Sequence, residues 1–229
     1  MTATGQRGTG EHALKRAFSA TLNLPDRLLH RRRHLSLRRR LNSMQQPQTI
    51  LVVCQANVCR SPYLHAVLQS ALPHLSVTSA GFFGSGRPVP QVSVDVCAKR
   101  GFDLSLFRSR PLTQALLTKA DLLIVMDPAH AVRIARSFRV KRGRIVIAGD
   151  LDPRFDSTRG IRDPWQQSSE VFESAFDRLD RCAATLARIF RVGRMSGTKA
   201  RTASEVRQRH TTDANIAVAK AQHSVFHAG

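Results

Sequence analysis

The stretch Thr49–Pro62, TILVVCQANVCRSP, decides how this chain is read. A run rich in β-branched residues ends at Cys54, and Ser61-Pro62 opens a helical pattern, so Gln55-Ala56-Asn57-Val58-Cys59-Arg60 forms a loop between strand and helix. A helix N-terminus offers unpaired N–H groups and the positive end of a dipole. A loop wrapped ahead of it can aim several amides at one phosphate. Pro62 fits the first turn, where its missing N–H costs nothing. Such a field favours the thiolate of a cysteine, which is the nucleophilic form. Arg60 adds a planar fork that grips two phosphate oxygens. The Ser61 hydroxyl can steady the thiolate as it leaves a phosphoenzyme. Cys54 therefore reads as the nucleophile of a phosphatase that works through a cysteinyl phosphate.

A cysteine followed six positions later by arginine is a weak pattern by itself. The chain holds a second case, Cys182 and Arg188, inside a helical pattern where no phosphate loop can form. Context singles out Cys54.

Outward from this loop, strand and helix patterns alternate, which predicts a parallel sheet with crossover helices. Strands are read at Thr49–Cys54, Leu75–Ala80, Leu122–Met126 and Arg144–Ala148. Helices are read at Pro62–Leu72, Gln91–Lys99, Thr113–Lys119, Pro128–Phe138 and Ser169–Phe190, the last with Phe172, Phe176, Leu179, Leu186 and Phe190 at helical spacing. The expected fold class is α/β: a four-stranded parallel sheet with flanking helices, in a single domain with basic disordered tails.

The 229 residues carry a net charge of +20, spread unevenly. Residues 1–46 hold ten Lys/Arg against two acids, and residues 193–229 hold six against two. Charge is densest at the ends, which predicts solvated tails at 1–46 and 193–229 around a phosphatase domain at 47–192. Arg27–Leu41 could form a basic amphipathic helix, yet nothing in it announces a core. Met44 lies five residues before the first strand and is a possible initiator. No run of eighteen apolar residues reads as a membrane span, and no secretory signal is evident. Cys54, Cys59, Cys97 and Cys182 match no zinc pattern and suit a reducing cytoplasm. No carboxylate or histidine cluster suggests a metal, and no cofactor is implied.

An aryl leaving oxygen needs a proton from a general acid. Three aspartates precede proline: Asp127, Asp152 and Asp163. Asp127 starts a helix and suits an N-cap; Asp152 sits in a polar turn. Asp163 lies in a long loop beside Trp165, the sole tryptophan, and is the preferred acid.

These segments, VVCQANVCRSP, SAGFF, GFDLSLFRSRPL, ADLLIVMDPAH and DPWQQSSEVFESAFDRL in this order, resemble the low-molecular-weight protein tyrosine phosphatases of bacterial type over residues 49–191. The resemblance implies Cys54 as nucleophile, Arg60 as phosphate clamp, Ser61 as thiolate partner, Asn57 as anchor of the loop and Asp163 as acid and then base. It implies that Gln55, Ala56, Val58 and Cys59 complete the loop, that Ser79 supports Asn57, and that Cys59 can form a reversible disulfide with Cys54. Phe82 or Phe83, with Trp165, would wall an aromatic substrate. Ala56 stands where the family often has glycine, and Phe107 where a histidine commonly holds the loop asparagine. The implied partner is a phosphotyrosine protein, such as a bacterial tyrosine autokinase.

Other readings exist. An arsenate reductase on this fold needs two further neighbouring cysteines, which Cys97 and Cys182 do not provide. Phosphoarginine phosphatases tend to carry threonine where Val58 stands. A non-catalytic basic nucleic-acid binder would rest only on Arg31–Arg33 and Arg38–Arg40, without stacking aromatics.

Overall fold

The computed structural model describes residues 24–83, 85–156 and 158–191. Its elements run α1 (Leu24–Ser43), β1 (Thr49–Cys54), α2 (Arg60–Ala71), β2 (Ser76–Gly81), α3 (Gln91–Ala98), α4 (Gln114–Lys119), β3 (Leu122–Val125), α5 (Pro128–Ser137) and β4 (Ile145–Ile147). Single 3-10 turns at Arg142–Arg144 and Ala148–Leu151 flank β4, and a final helix, α6, covers residues 169–191. The chain divides into two units, residues 1–189 and residues 190–229, and the description that follows is of the first.

The four strands pair in parallel in the order β2-β1-β3-β4. β1, β3 and β4 read as unbroken apolar runs and are buried along almost their whole length, as strands covered on both faces must be. The chain leaves β1 toward β2 on one side and reaches β3 on the other. The C-terminal end of β1 is thus the switch point at which ligands bind in open α/β sheets. One part of the core gathers Leu51, Val53, Leu123, Val125, Ile134 and Ile147. Elsewhere Tyr63 of α2 stacks on Phe176 of α6 with ring centroids 4.0 Å apart, and Phe172 meets Phe176 edge-on at 5.9 Å. Buried Phe172, Phe176, Leu179 and Leu186 follow the expected stripe of α6, and Cys182 lies fully buried within it.

Strand and helix positions agree with expectation to within two residues. The expected disordered extension over 1–46 needs correction at residues 24–43, which form α1. Residues 1–23 and the expected tail over 193–229 lie outside the described residues. Between Asp26 and Ser43 no glycine or proline interrupts a series of Leu and Arg, both strong helix formers. One side of α1 buries Leu37 and Leu41. His30 Nε2 donates to the Asp152 carbonyl and His34 Nδ1 to that of Asp150, both at 3.0 Å. Arg40 Nη2 donates to the Ile145 carbonyl at 3.1 Å. Leucines also sit on the outer side, at positions 28, 29 and 35, so the apolar positions of α1 trace no single stripe. The packed face was therefore hidden from a periodicity argument.

Candidate active site

The loop from Cys54 to Ser61 joins the end of β1 to the start of α2, and it is closed by backbone and side chain together. Asn57 adopts φ 56°, a left-handed conformation that asparagine tolerates better than most residues. This turn brings the Asn57 amide to 3.2 Å from Cys54 Sγ. Ser61 Oγ donates to the same sulfur at 3.0 Å and accepts from Asn57 Nδ2 at 2.9 Å. Asn57 Nδ2 also reaches Ser79 Oγ at 3.0 Å, and Asn57 Oδ1 accepts the backbone amide of Arg110 at 3.0 Å. The carboxamide is thus satisfied at both ends without a histidine at position 107. Gly81, the last residue of β2, must be this small: a Cβ there would lie 2.6 Å from the Asn57 amide nitrogen and 2.7 Å from the Ala56 carbonyl carbon.

Two donors converge on a buried sulfur, and both stabilise negative charge on it. Cys59, the residue preceding α2, is buried beside it. Burial drives its thiol well above the ordinary range, and the nearby charges of Asp163 and Cys54 push the same way. Cys97 and Cys182 are fully buried, and burial likewise raises their thiols.

Arg60 is buried at the first position of α2. Its Nη1 donates to the Ile161 carbonyl at 2.9 Å and its Nη2 pairs with Asp163 Oδ2. Its Nε–H has no hydrogen-bond partner among the described residues. A buried guanidinium N–H without an acceptor is costly unless something else supplies one. A phosphate oxygen is an acceptor of the right kind.

A cavity of about 220 Å³ opens over the loop. It is lined by Cys54, Gln55, Ala56, Val58, Cys59, Phe83, Arg87, Asp163 and Trp165. Among the three expected wall residues, Phe83 and Trp165 line it, 50% and 37% exposed. Phe82 needs correction: it packs against the core instead, 5.2 Å from the His130 ring and beneath the Arg133 guanidinium at 4.3 Å. Asp127 caps α5 by accepting the His130 amide at 2.9 Å. Asp152 is fully buried and binds Arg181 through both oxygens at 2.8 and 2.9 Å. Of the three Asp-Pro carboxylates, Asp163 is the one in the cavity.

Three contributors escaped the sequence reading. Arg87 lies 5.0 Å over the Trp165 ring, making a cationic edge to the aromatic wall. His130 Nε2 donates to Gln55 Oε1 at 3.2 Å and so braces the loop from α5. Burial holds its imidazole below the ordinary range, opposed by Asp127. The Arg110 amide, described above, is the third. Arg87 belongs to the Gly/Pro-rich segment after β2 and His130 to ADLLIVMDPAH. Their segments are conspicuous, but a side chain recruited by its packing leaves no local signal.

The comparisons agree with this geometry. Residues 49–220 match the family described as low molecular weight phosphotyrosine protein phosphatase. A protein named probable low molecular weight protein-tyrosine-phosphatase EpsP, from Ralstonia nicotianae, is 39% identical over 135 residues, covering 58% of this chain and 90% of that protein. Vibrio vulnificus Wzb, solved with benzylphosphonate, superposes with a TM-score of 0.57 at 32% identity, over 62% of this chain and 97% of the other. The YwlE arginine phosphatase of Geobacillus stearothermophilus gives 0.60 at 27% identity, over 66% and 97%. The chain belongs to the low-molecular-weight phosphotyrosine protein phosphatases, a family of hydrolases.

Proposed function

We propose that this enzyme hydrolyses phosphotyrosine in proteins, with Cys54 as nucleophile, Arg60 as phosphate clamp and Asp163 as general acid and then base. The observation that carries the reading is the paired donation of Asn57 N and Ser61 Oγ to Cys54 Sγ, beneath the N-terminus of α2. A phosphate seated there meets the loop amides and the free Nε–H of Arg60. The sulfur attacks phosphorus in line as the phenolic P–O bond breaks, and the leaving oxygen takes a proton from Asp163. Asp163 then removes a proton from water, which attacks the cysteinyl phosphate and releases inorganic phosphate. Ser61 Oγ supports the departing thiolate. Phe83 and Trp165 offer a planar substrate ring the faces it needs.

Substrate choice rests on Val58 and the aromatic pair. Val58 lines the cavity with an apolar side chain, which favours an aryl ring over the polar guanidinium of phosphoarginine. The likeness to YwlE keeps phosphoarginine as the second reading. Arsenate reduction by a thiol relay is disfavoured, because Cys97 and Cys182 are fully buried. No helix among the described residues is long and apolar enough to cross a membrane. A cytoplasmic setting suits a nucleophile that must stay reduced. A tyrosine autokinase is the partner this reading favours.

The test is turnover of matched phosphotyrosine, phosphoserine and phosphoarginine peptides by the full-length protein. Preference for phosphotyrosine is expected; faster phosphoarginine turnover would replace the reading with the second one.

A further inference from the structure

A larger cavity, about 580 Å³, lies away from Cys54, between α1 and the β4 edge of the sheet. Its volume is in the range of small-molecule sites. Leu37 and the three residues of β4 give it an apolar floor. Around that floor stand Arg32, Arg33, Arg40, Arg142 and Arg159, against a single carboxylate, Asp150.

The charges do not balance. Arg159 already takes both oxygens of Asp150, at 2.8 and 2.7 Å. Arg33 Nε stands 3.9 Å from the same carboxylate, is buried, and has no hydrogen-bond partner among the described residues. Arg40 spends one N–H on the Ile145 carbonyl, and burial lowers its pKa, with Asp150 opposing. Arg32 of α1 and Arg142 of the turn ahead of β4 are both exposed, with no side-chain partner among the described residues. Five guanidiniums gathered around one carboxylate repel one another, and a bound anion relieves that repulsion. Arginine forks select phosphate oxygens in particular, since each can bind two of them at once.

We propose that this cavity is a second anion site, which takes a small soluble molecule carrying two or more phosphate groups. The net excess of four positive charges suits a diphosphate or triphosphate better than a single phosphate. Bound there, the ligand bridges Arg32 and Arg33 of α1 to Arg142 ahead of β4. It therefore fastens α1 to the phosphatase fold.

The probe is inorganic pyrophosphate, measured by equilibrium dialysis at fixed ionic strength on the full-length protein. Two sites are expected, because the catalytic loop also binds oxyanions. Arg60→Ala should remove only the loop site. The double variant Arg32→Ala/Arg142→Ala should weaken only the second by about tenfold or more, the effect of losing a charge-assisted hydrogen bond. Neither residue holds the fold together, and Arg33→Gln provides a second variant should the double one lose helix by circular dichroism. The site is refuted if Arg60→Ala abolishes all pyrophosphate binding, or if the arginine variants leave the second site unchanged. It is also refuted if phosphatidylglycerol vesicles, but not pyrophosphate, bind in an Arg32/Arg142-dependent way, since the cluster would then be a membrane contact.

Discussion

At the scale of single residues, Cys54 and Asp163 carry the predictions closest to chemistry. Cys54→Ser should abolish turnover while phosphate binding persists, because the loop amides and Arg60 remain; near-native activity would remove Cys54 from its role. Cys182→Ser, in the buried decoy, should leave catalysis alone. Asp163→Ala should slow poor leaving groups by ~10²–10⁴-fold and good ones far less, as read from a series of substituted phenyl phosphates. An equal loss across that series would assign the acid elsewhere. Cys59 adds a pH dependence. Its thiol is raised by burial, so the thiolate that must attack an oxidised Cys54 is a small fraction near neutrality and grows as pH rises. Disulfide closure after one equivalent of peroxide should then accelerate from pH 6 to 9, as followed by mass spectrometry; a flat profile would exclude Cys59 as the resolving thiol. Most of this site is legible because its parts are contiguous: the proposed nucleophile and clamp, with the Asn57 carboxamide and the Ser61 hydroxyl, all lie between Cys54 and Ser61. Legibility failed where parity alone decides. Phe82 and Phe83 are chemically equivalent in sequence, and only the exit of β2 sends one to the core and the other to the cavity.

At the scale of elements, the segment from β4 to α6 matters most, because it delivers Asp163. It has little regular structure and is held by arginines. Arg178 of α6 donates to the Thr158 and Gly160 carbonyls, both at 2.7 Å, and contacts Asp152 at 3.3 Å. The Ile161 amide then joins the end of β3 at Met126 O, 2.7 Å away. Arg178→Lys keeps the charge but loses the fork, so two carbonyls cannot be held at once. We expect kcat for poor leaving groups to fall several-fold while phosphate affinity is kept, and unchanged kcat would show that the acid segment holds itself. Asp152 gives this segment its acid sensitivity. Burial opposes its charge, but Arg181, the Arg154 amide and Arg178 outweigh that and hold its carboxyl below the usual range. A depressed carboxyl contributes stability above its unfolded pKa of about 3.9 and loses it as pH falls through the folded value. Asp152→Asn should therefore lower the melting temperature at neutral pH and flatten its decline between pH 5 and 3; parallel wild-type and variant curves would contradict this. The sequence showed Asp152 as a polar turn residue. Its arginine partners come from α6, too far along the chain for local pattern to reveal.

At the scale of the whole molecule, the question is whether the phosphatase fold ends at β1 or includes α1. Charge density argued for a solvated tail, yet residues 24–43 form a helix that buries Leu37 and Leu41 and holds the carbonyls of Asp150, Asp152 and Ile145. Each buried leucine contributes about 1.5–3 kcal/mol, offset in part by the entropy of ordering the helix. The two histidine contacts fall at the start of the segment that leads to Asp163, so α1 is expected to act on the proposed acid as well as on stability. A chain beginning at Met44 should melt at least about 5 °C below the full-length protein, a loss of more than ~1 kcal/mol for a domain of this size. Its turnover should fall most for poor leaving groups, where placement of Asp163 counts. Leu37→Ser in the full-length chain should reproduce part of both effects, by undoing the packed face without removing charge. Differential scanning calorimetry and phenyl phosphate kinetics on the three proteins decide the matter. Coincident melting curves and leaving-group profiles would mean that α1 rides on the domain without supporting it, and that the catalytic unit begins at β1.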